Sequence, residues 1–221
     1  MSYEEASAPG LVMPAPPLPR PADGELSKFL SSLCEHARNN PIPDAMMRKV
    51  MTVVAQLVTQ QGACVRKARG LHYCAAHSQE CPALAPLVEL LCSIGGPEAI
   101  NDADAGGCTP LMLAANNVGY DSPDLTMLRM FLACGADKSI AHEDDGLTAL
   151  GYYRSRVRSR VAFCKGLPEN FGWGSAQPLP KLNFEVEGLL MPSDGPTAAD
   201  KAAYDELLGM FDTRAAFYGA A

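Results

Sequence analysis

Four side chains of types that bind zinc, His72, Cys74, His77 and Cys81, fall close together in the sequence. Their spacing decides whether they can converge. Residues two apart on a helix point to different faces, so His72 and Cys74 do not share a ligand site there. The run Leu71-His72-Tyr73-Cys74-Ala75 also reads as the apolar opening of a helix. The group is therefore expected to be packed core and loop, with no metal and no cofactor. His72 and His77 offer no hydrolase constellation, and the chain lacks a Gly-rich phosphate loop, a nucleophile elbow and a dinucleotide fingerprint. The remaining chemical feature is a run of cations, Arg154, Arg156, Arg158 and Arg160, followed by Lys165. On a helix Arg154 and Arg158 share one edge and Arg156 and Arg160 another, which spreads the charge over a wide face. A solvated face is the first expectation for this basic patch; a site for an acidic partner, a phosphate-bearing molecule or RNA is the second.

The 221 residues are 48% hydrophobic and 19% charged, as in an ordinary globular protein. A net charge of -7 argues against wholesale nucleic-acid binding. The apolar stretch from Met46 to Val58 is interrupted by Arg48, Lys49, Thr52 and Gln56, short of the roughly 18 apolar residues of a membrane span, and no membrane-spanning segment is expected. The acidic start Met1-Ser2-Tyr3-Glu4-Glu5 lacks the features of a secretory signal, so a cytoplasmic or nuclear location is expected. Eight cysteines in a chain of this length are too dilute for a disulfide scaffold, and most sit in apolar surroundings suited to reduced thiols.

Residues 1–22 carry Pro9, Pro14, Pro16, Pro17, Pro19 and Pro21 with little to bury, which predicts an extended arm. From Asp23, taken as a cap, Leu26, Phe29, Leu30, Leu33 and Ala37 recur at helical spacing until Asn39-Asn40-Pro41. A second helix follows Pro43 through Met47, Val50, Val54 and Leu57; Ala45, Met46, Val53 and Ala55 widen its apolar surface and predict cover on more than one side.

A helix, loop, helix, turn unit then recurs. Thr109 caps a short helix with Pro110 in its first turn and Ala114 and Ala115 behind; Leu125, Leu128, Phe131 and Leu132 form its partner, stopped by Gly135. Leu71 opens a copy upstream, paired with Leu87, Leu90 and Leu91 and ending at Gly95-Gly96, and Thr148 opens one downstream, at a step of about 40 residues. The run Ile100-Asn101-Asp102-Ala103-Asp104-Ala105-Gly106-Gly107-Cys108-Thr109-Pro110-Leu111, closed by Leu132-Ala133-Cys134-Gly135-Ala136-Asp137, resembles an ankyrin repeat. Departures from that pattern are Met112 for the usual His, Gly70 for the usual Pro, and Ala149, Gly151, Tyr153 and Arg154 in the third copy. Residues 23–165 are thus expected to be an all-α, ankyrin-like solenoid, with divergent capping helices at 23–64 and repeats at 65–96, 100–137 and 140–165. Past Arg154 the pattern dissolves. Residues 166–221 form an irregular segment, holding Phe171, Trp173, Phe184 and Leu190, and a final helix from Thr197 whose face carries Tyr204, Leu207, Leu208, Phe211 and Ala215.

What the resemblance implies is a non-catalytic module that binds another protein through hairpin tips and the inner-helix face. Here those positions are Ala103, Asp104, Ala105, Met112, Asn116, His142, Glu143 and Tyr152. The acids Asp102, Asp104, Glu143, Asp144 and Asp145 fall at tips, where Asp suits turns, rather than in a catalytic pair. A structural subunit, held in a larger assembly by its arm and C-terminal segment, is the alternative.

Overall fold

The computed structural model describes residues 21–79, 81–118, 124–166 and 182–218, and their side chains except at 21, 165–166 and 211–218. Pro21 and Ala22, expected to end the arm, open the first helix, with Ala22 buried in the core, whereas residues 1–20 of the expected arm, the aromatic residues Phe171 and Trp173, and the Phe211 and Ala215 side chains lie outside the described residues. Within them the protein is all-α, with helices α1 (Pro21–Asn39), α2 (Asp44–Thr59), α3 (Gly70–Ala76), α4 (Ala85–Ile100), α5 (Pro110–Asn116), α6 (Thr126–Ala133), α7 (Ala149–Gly166), α8 (Phe184–Leu190) and α9 (Ala198–Tyr218).

Helices α1, α3, α5, α7 and α9 lie side by side in that order. Behind them α2, α4 and α6 make a second row, and α8 packs on α7 and reaches α6 through an Arg129–Glu185 ion pair. The core fills the space between rows with fully buried Leu26, Leu30, Leu71, Leu87, Leu111 and Phe131, each contributing about 1.5–3 kcal/mol by leaving water. Ala75, Ala114 and Ala115 are buried where the short helices approach closely. All eight cysteines are free thiols.

Several elements depart from the sequence reading. Asp23 is not the cap of α1 but sits in its first turn, buried, and accepts the Cys64 backbone N–H at 2.6 Å. One face of α2 is covered, through Met47, Val50, Val54 and Leu57, while Met46 and Val53 remain about 40% exposed, so the expected second cover is absent from the described residues. The stretch Pro82–Ile100 is, by length and composition, apolar enough to cross a membrane, which the sequence reading overlooked. Here it packs Leu84, Leu87, Val88 and Leu91 into the core and breaks at Gly96, whose φ of 67° no regular helix allows. The unit starting at Thr148 does not dissolve at Arg154: α7 continues to Gly166 because Tyr153, Val157 and Val161 keep one buried stripe at helical spacing. The final helix, by contrast, packs against the last unit, α9 lying along α7, in the manner of a covering helix.

The third residue of a helix recurs as a polar tie at the starts of the side-by-side helices, in α1, α3 and α9 to another unit and in α5 to its own cap. His72 in α3 and Asp23 in α1 bond to loop backbone of the following unit. In α5, Met112 closes a capping box with Thr109: the Met112 N–H donates to Thr109 Oγ1 at 3.3 Å, and the Thr109 N–H to Met112 Sδ at 3.4 Å. In α7 the third residue is Gly151, which has no side chain to reach back. Asp200, third in α9, supplies the missing acceptor from the neighbouring helix, taking the Thr148 N–H at 2.9 Å and its hydroxyl at 2.8 Å. It also closes its own box with Thr197, each N–H bonding to the other side chain at 3.0 Å.

Gly151 makes this possible by leaving room, because a Cβ there would stand 2.3 Å from Asp200 Oδ1 and 2.7 Å from Leu147 Cδ2. On an exposed helix face Gly→Ala stabilises by about 0.5–1 kcal/mol. Here Gly151→Ala should reverse that sign and lower stability by about 2–4 kcal/mol, through overpacking and loss of the Asp200 bonds, as measured by urea unfolding.

Candidate partner-binding surface

Two tip loops precede α5 and α7, at residues 101–108 and 141–147. Each is folded by its own acids. Asp104 Oδ1 accepts the N–H groups of Gly106 at 2.8 Å and Cys108 at 3.0 Å, and the turn closes with Gly107 at φ 81°. In the second loop Asp145 Oδ1 accepts the Leu147 N–H at 2.9 Å, and the His142 N–H meets the Leu147 carbonyl at 2.9 Å. A carboxylate spent on its own turn is less available to a partner.

The loops are tied to each other and to the unit before them. His142 Nε2 lies 2.7 Å from the Gly106 carbonyl and therefore carries the proton, since a carbonyl only accepts. Its ring meets Tyr152 edge-on, centroids 5.9 Å apart, and the Tyr152 hydroxyl accepts from the Cys108 thiol at 3.5 Å. Desolvation, with that thiol next in weight, pushes the Tyr152 hydroxyl pKa up. On the other side His72 Nε2 donates to the Asp102 carbonyl at 3.0 Å, while Arg69, held at φ 54°, reaches Asp102 Oδ2 at 3.2 Å and the Ala103 carbonyl. Burial, then the Arg69 charge, lower the His72 pKa.

Of the positions expected to meet a partner, Ala103, Ala105 and Glu143 are exposed, and Asp104, Asn116 and Tyr152 are half-buried. Met112 is not on the surface: at 1% exposure its side chain caps α5 and fills the core. His142 is buried too, as the wedge between the loops. Asp102 sits at the tip as expected, but its pairing with Arg69 was missed, because no local pattern says that a guanidinium will cross to the next loop. Asp144, exposed beside Glu143, belongs to the same surface.

The basic patch is broken up. Arg154 is buried, holding Glu187 of α8 through Nε at 2.9 Å and Nη2 at 2.6 Å, donating Nη1 to the Asp200 carbonyl at 3.0 Å, and lying 4.5 Å above the Tyr204 ring. Arg158 pairs with Glu206, and Arg160 lies over Phe163 at 5.3 Å; Arg156 is exposed. Arg154 thus joins α7 to α8 and α9, and the expected acidic-partner site at Arg154 is replaced by an internal ion pair.

The zinc-type residues do not converge. Cys74 packs beside Cys34, whose thiol pKa is lowered by that neighbour, and Cys81 Sγ donates to the Cys34 carbonyl at 3.7 Å. Among the described residues no group of three or more His, Cys, Asp or Glu is placed to hold a metal. A cleft of about 330 Å³ opens where α1 ends, lined by Arg38, Asn39, Asn40, Ile42 and Cys81 among others, and away from the tip residues.

Comparisons with protein-family models, with curated proteins and with solved structures each find no match.

Breaking the Arg154–Glu187 pair should leave a buried charge uncompensated. Glu187→Ala is expected to cost about 3–5 kcal/mol, whereas joint Arg154→Met and Glu187→Leu replacement should recover most of it, in a double-mutant cycle by chemical denaturation.

Proposed function

We propose that the chain is a non-catalytic, ankyrin-like protein-binding module of the cytoplasm or nucleus, which meets its partner through the row of tip loops and the adjoining face of α5 and α7. The observation that carries this reading is the rigid pair of tip loops at 101–108 and 141–147. Asp104 and Asp145 bond turn N–H groups of their own loops, His142 takes the Gly106 carbonyl and Arg69 the Ala103 carbonyl, so Ala103, Ala105, Glu143 and Asp144 are held out on a preorganised edge, next to half-buried Asn116 and Tyr152. Preorganisation matters because an ordered loop loses little conformational entropy on binding. Small Ala side chains allow close approach, Tyr152 offers an aromatic anchor, and the acids favour a partner segment carrying Lys or Arg. The stacked helix pairs, the Thr109-Pro110-Leu111 helix start and the glycine at φ 92° after α6 support the ankyrin-like description.

The test is affinity capture by the immobilised full chain from native cell extract at two salt concentrations. A stoichiometric partner should be lost at least about tenfold with Glu143→Lys or Ala105→Arg, and retained with Gln56→Arg on α2, with the Glu143 effect shrinking at high salt. Capture that survives the tip changes but fails when residues 1–20 are removed would overturn the reading in favour of the structural-subunit alternative.

A further inference from the structure

The wedge between the tip loops has two incompatible partners on one nitrogen. Nδ1 of His142 lies 3.3 Å from Asp145 Oδ1 and 3.3 Å from the Asp144 backbone nitrogen. With a proton, Nδ1 donates to the carboxylate. Without it, the lone pair accepts the Asp144 N–H. A single ring nitrogen cannot do both. Nε2–H stays on the Gly106 carbonyl at 2.7 Å in either state, which fixes the ring and leaves Nδ1 as the atom that titrates.

We propose that His142 is a pH-operated latch on the 141–147 tip, exchanging the Asp145 carboxylate for the Asp144 N–H as its ring loses a proton. The groups that face it come from every element packed there: Asp104 and the Gly106 carbonyl from the 101–108 loop, Asp144 and Asp145 from its own loop, and from α7 the Tyr152 ring, whose hydroxyl is bonded to Cys108. The Gly106 bond is the largest influence and the three carboxylates add to it; all raise the His142 pKa above its ordinary value near 6.5, while burial works against them. The charged contact is therefore fully present below about pH 6.5 and is released as pH rises through the higher native value. Asp145 keeps its place throughout, because the Leu147 N–H holds the same oxygen at 2.9 Å. The group that changes partner is the Asp144 N–H, beside exposed Glu143. On the binding reading proposed above, the latch makes the acidic tip present itself differently on the two sides of neutrality.

The experiment is an NMR titration of the full chain from about pH 5.5 to 8.5, following the His142 ring protons and the Asp144 amide. A ring midpoint above 6.5, with the Asp144 amide moving downfield at the same midpoint as it gains its acceptor, supports the latch. In Asp145→Asn, whose side-chain oxygen still accepts the Leu147 N–H, the ring should bind its proton about threefold more weakly. An Asp144 amide that stays still through the ring titration overturns the proposal, as does an unchanged midpoint in Asp145→Asn. Should that variant fail to fold, the unmodified chain still decides through the Asp144 amide. No partner is needed, so a failure here is separable from a failure of the tip-binding reading.

Discussion

Asp200 accepts the backbone N–H and hydroxyl of Thr148 while closing the start of its own helix with Thr197, and that buried carboxylate sets how the last side-by-side helices meet. A carboxylate with no exposure is costly to desolvate, and it is tolerated because several donors converge on it. Its carbonyl also receives Arg154, whose guanidinium is neutralised by Glu187. Thus α7, α8 and α9 are bound through one connected polar cluster. Such a cluster is sensitive to partial loss, because each remaining group would be left buried without its partner. It also fixes register: α9 lies parallel to α7 with the two helix starts level, since only then do Thr148 and Asp200 meet.

The same logic runs along the other helix starts with weaker chemistry. Asp23, His72 and Met112 each use the third residue of a helix to satisfy nearby backbone, once with a carboxylate, once with an imidazole and once with a thioether. Asp23 accepts a loop N–H, His72 donates to a loop carbonyl and Met112 serves its own helix start, whereas Asp200 gives the N–H at the start of a neighbouring helix the acceptor it needs. The two flanks of the row differ from its middle. On α1 the exposed residues include Glu25, Lys28, Ser31, Ser32 and Glu35, and on α9 Lys201, Asp205 and Glu206 are exposed beside Leu208, so the described outer faces of both helices are largely polar. A stack of helical units needs such ends to remain soluble.

At the tips, folding and recognition draw on the same residues. Asp104 and Asp145 shape their loops, His142 and Arg69 join each loop to the next, and the small or acidic residues between them are left outward. Gly107 illustrates the tightness of the fit, for its φ of 81° suits glycine and an added Cβ would stand 2.7 Å from His142 Nε2. Rigidity of this kind comes from hydrogen bonds between loops rather than from strands, none of which occur among the described residues.

The sequence by itself determined the helices that obey local rules. Thr109-Pro110 starts, the Gly135 stop, the Thr197-to-Asp200 box and the apolar spacing of Leu26, Leu30 and Leu33 are all readable because capping and periodicity involve residues within a few positions of each other. The all-α class and the turn-forming role of Asp104 followed from the same local physics. Only the tertiary structure decided which polar residues would be consumed inside. Arg154 looked like one cation in a charged run until Glu187, 33 residues later, arrived to pair with it, and Met112 and His142 looked like surface anchors until neighbouring units enclosed them. Gly151 shows the reason most plainly. A missing side chain leaves no trace of what will fill its place, and the Asp200 carboxylate that does so is brought there by the packing of a separate helix.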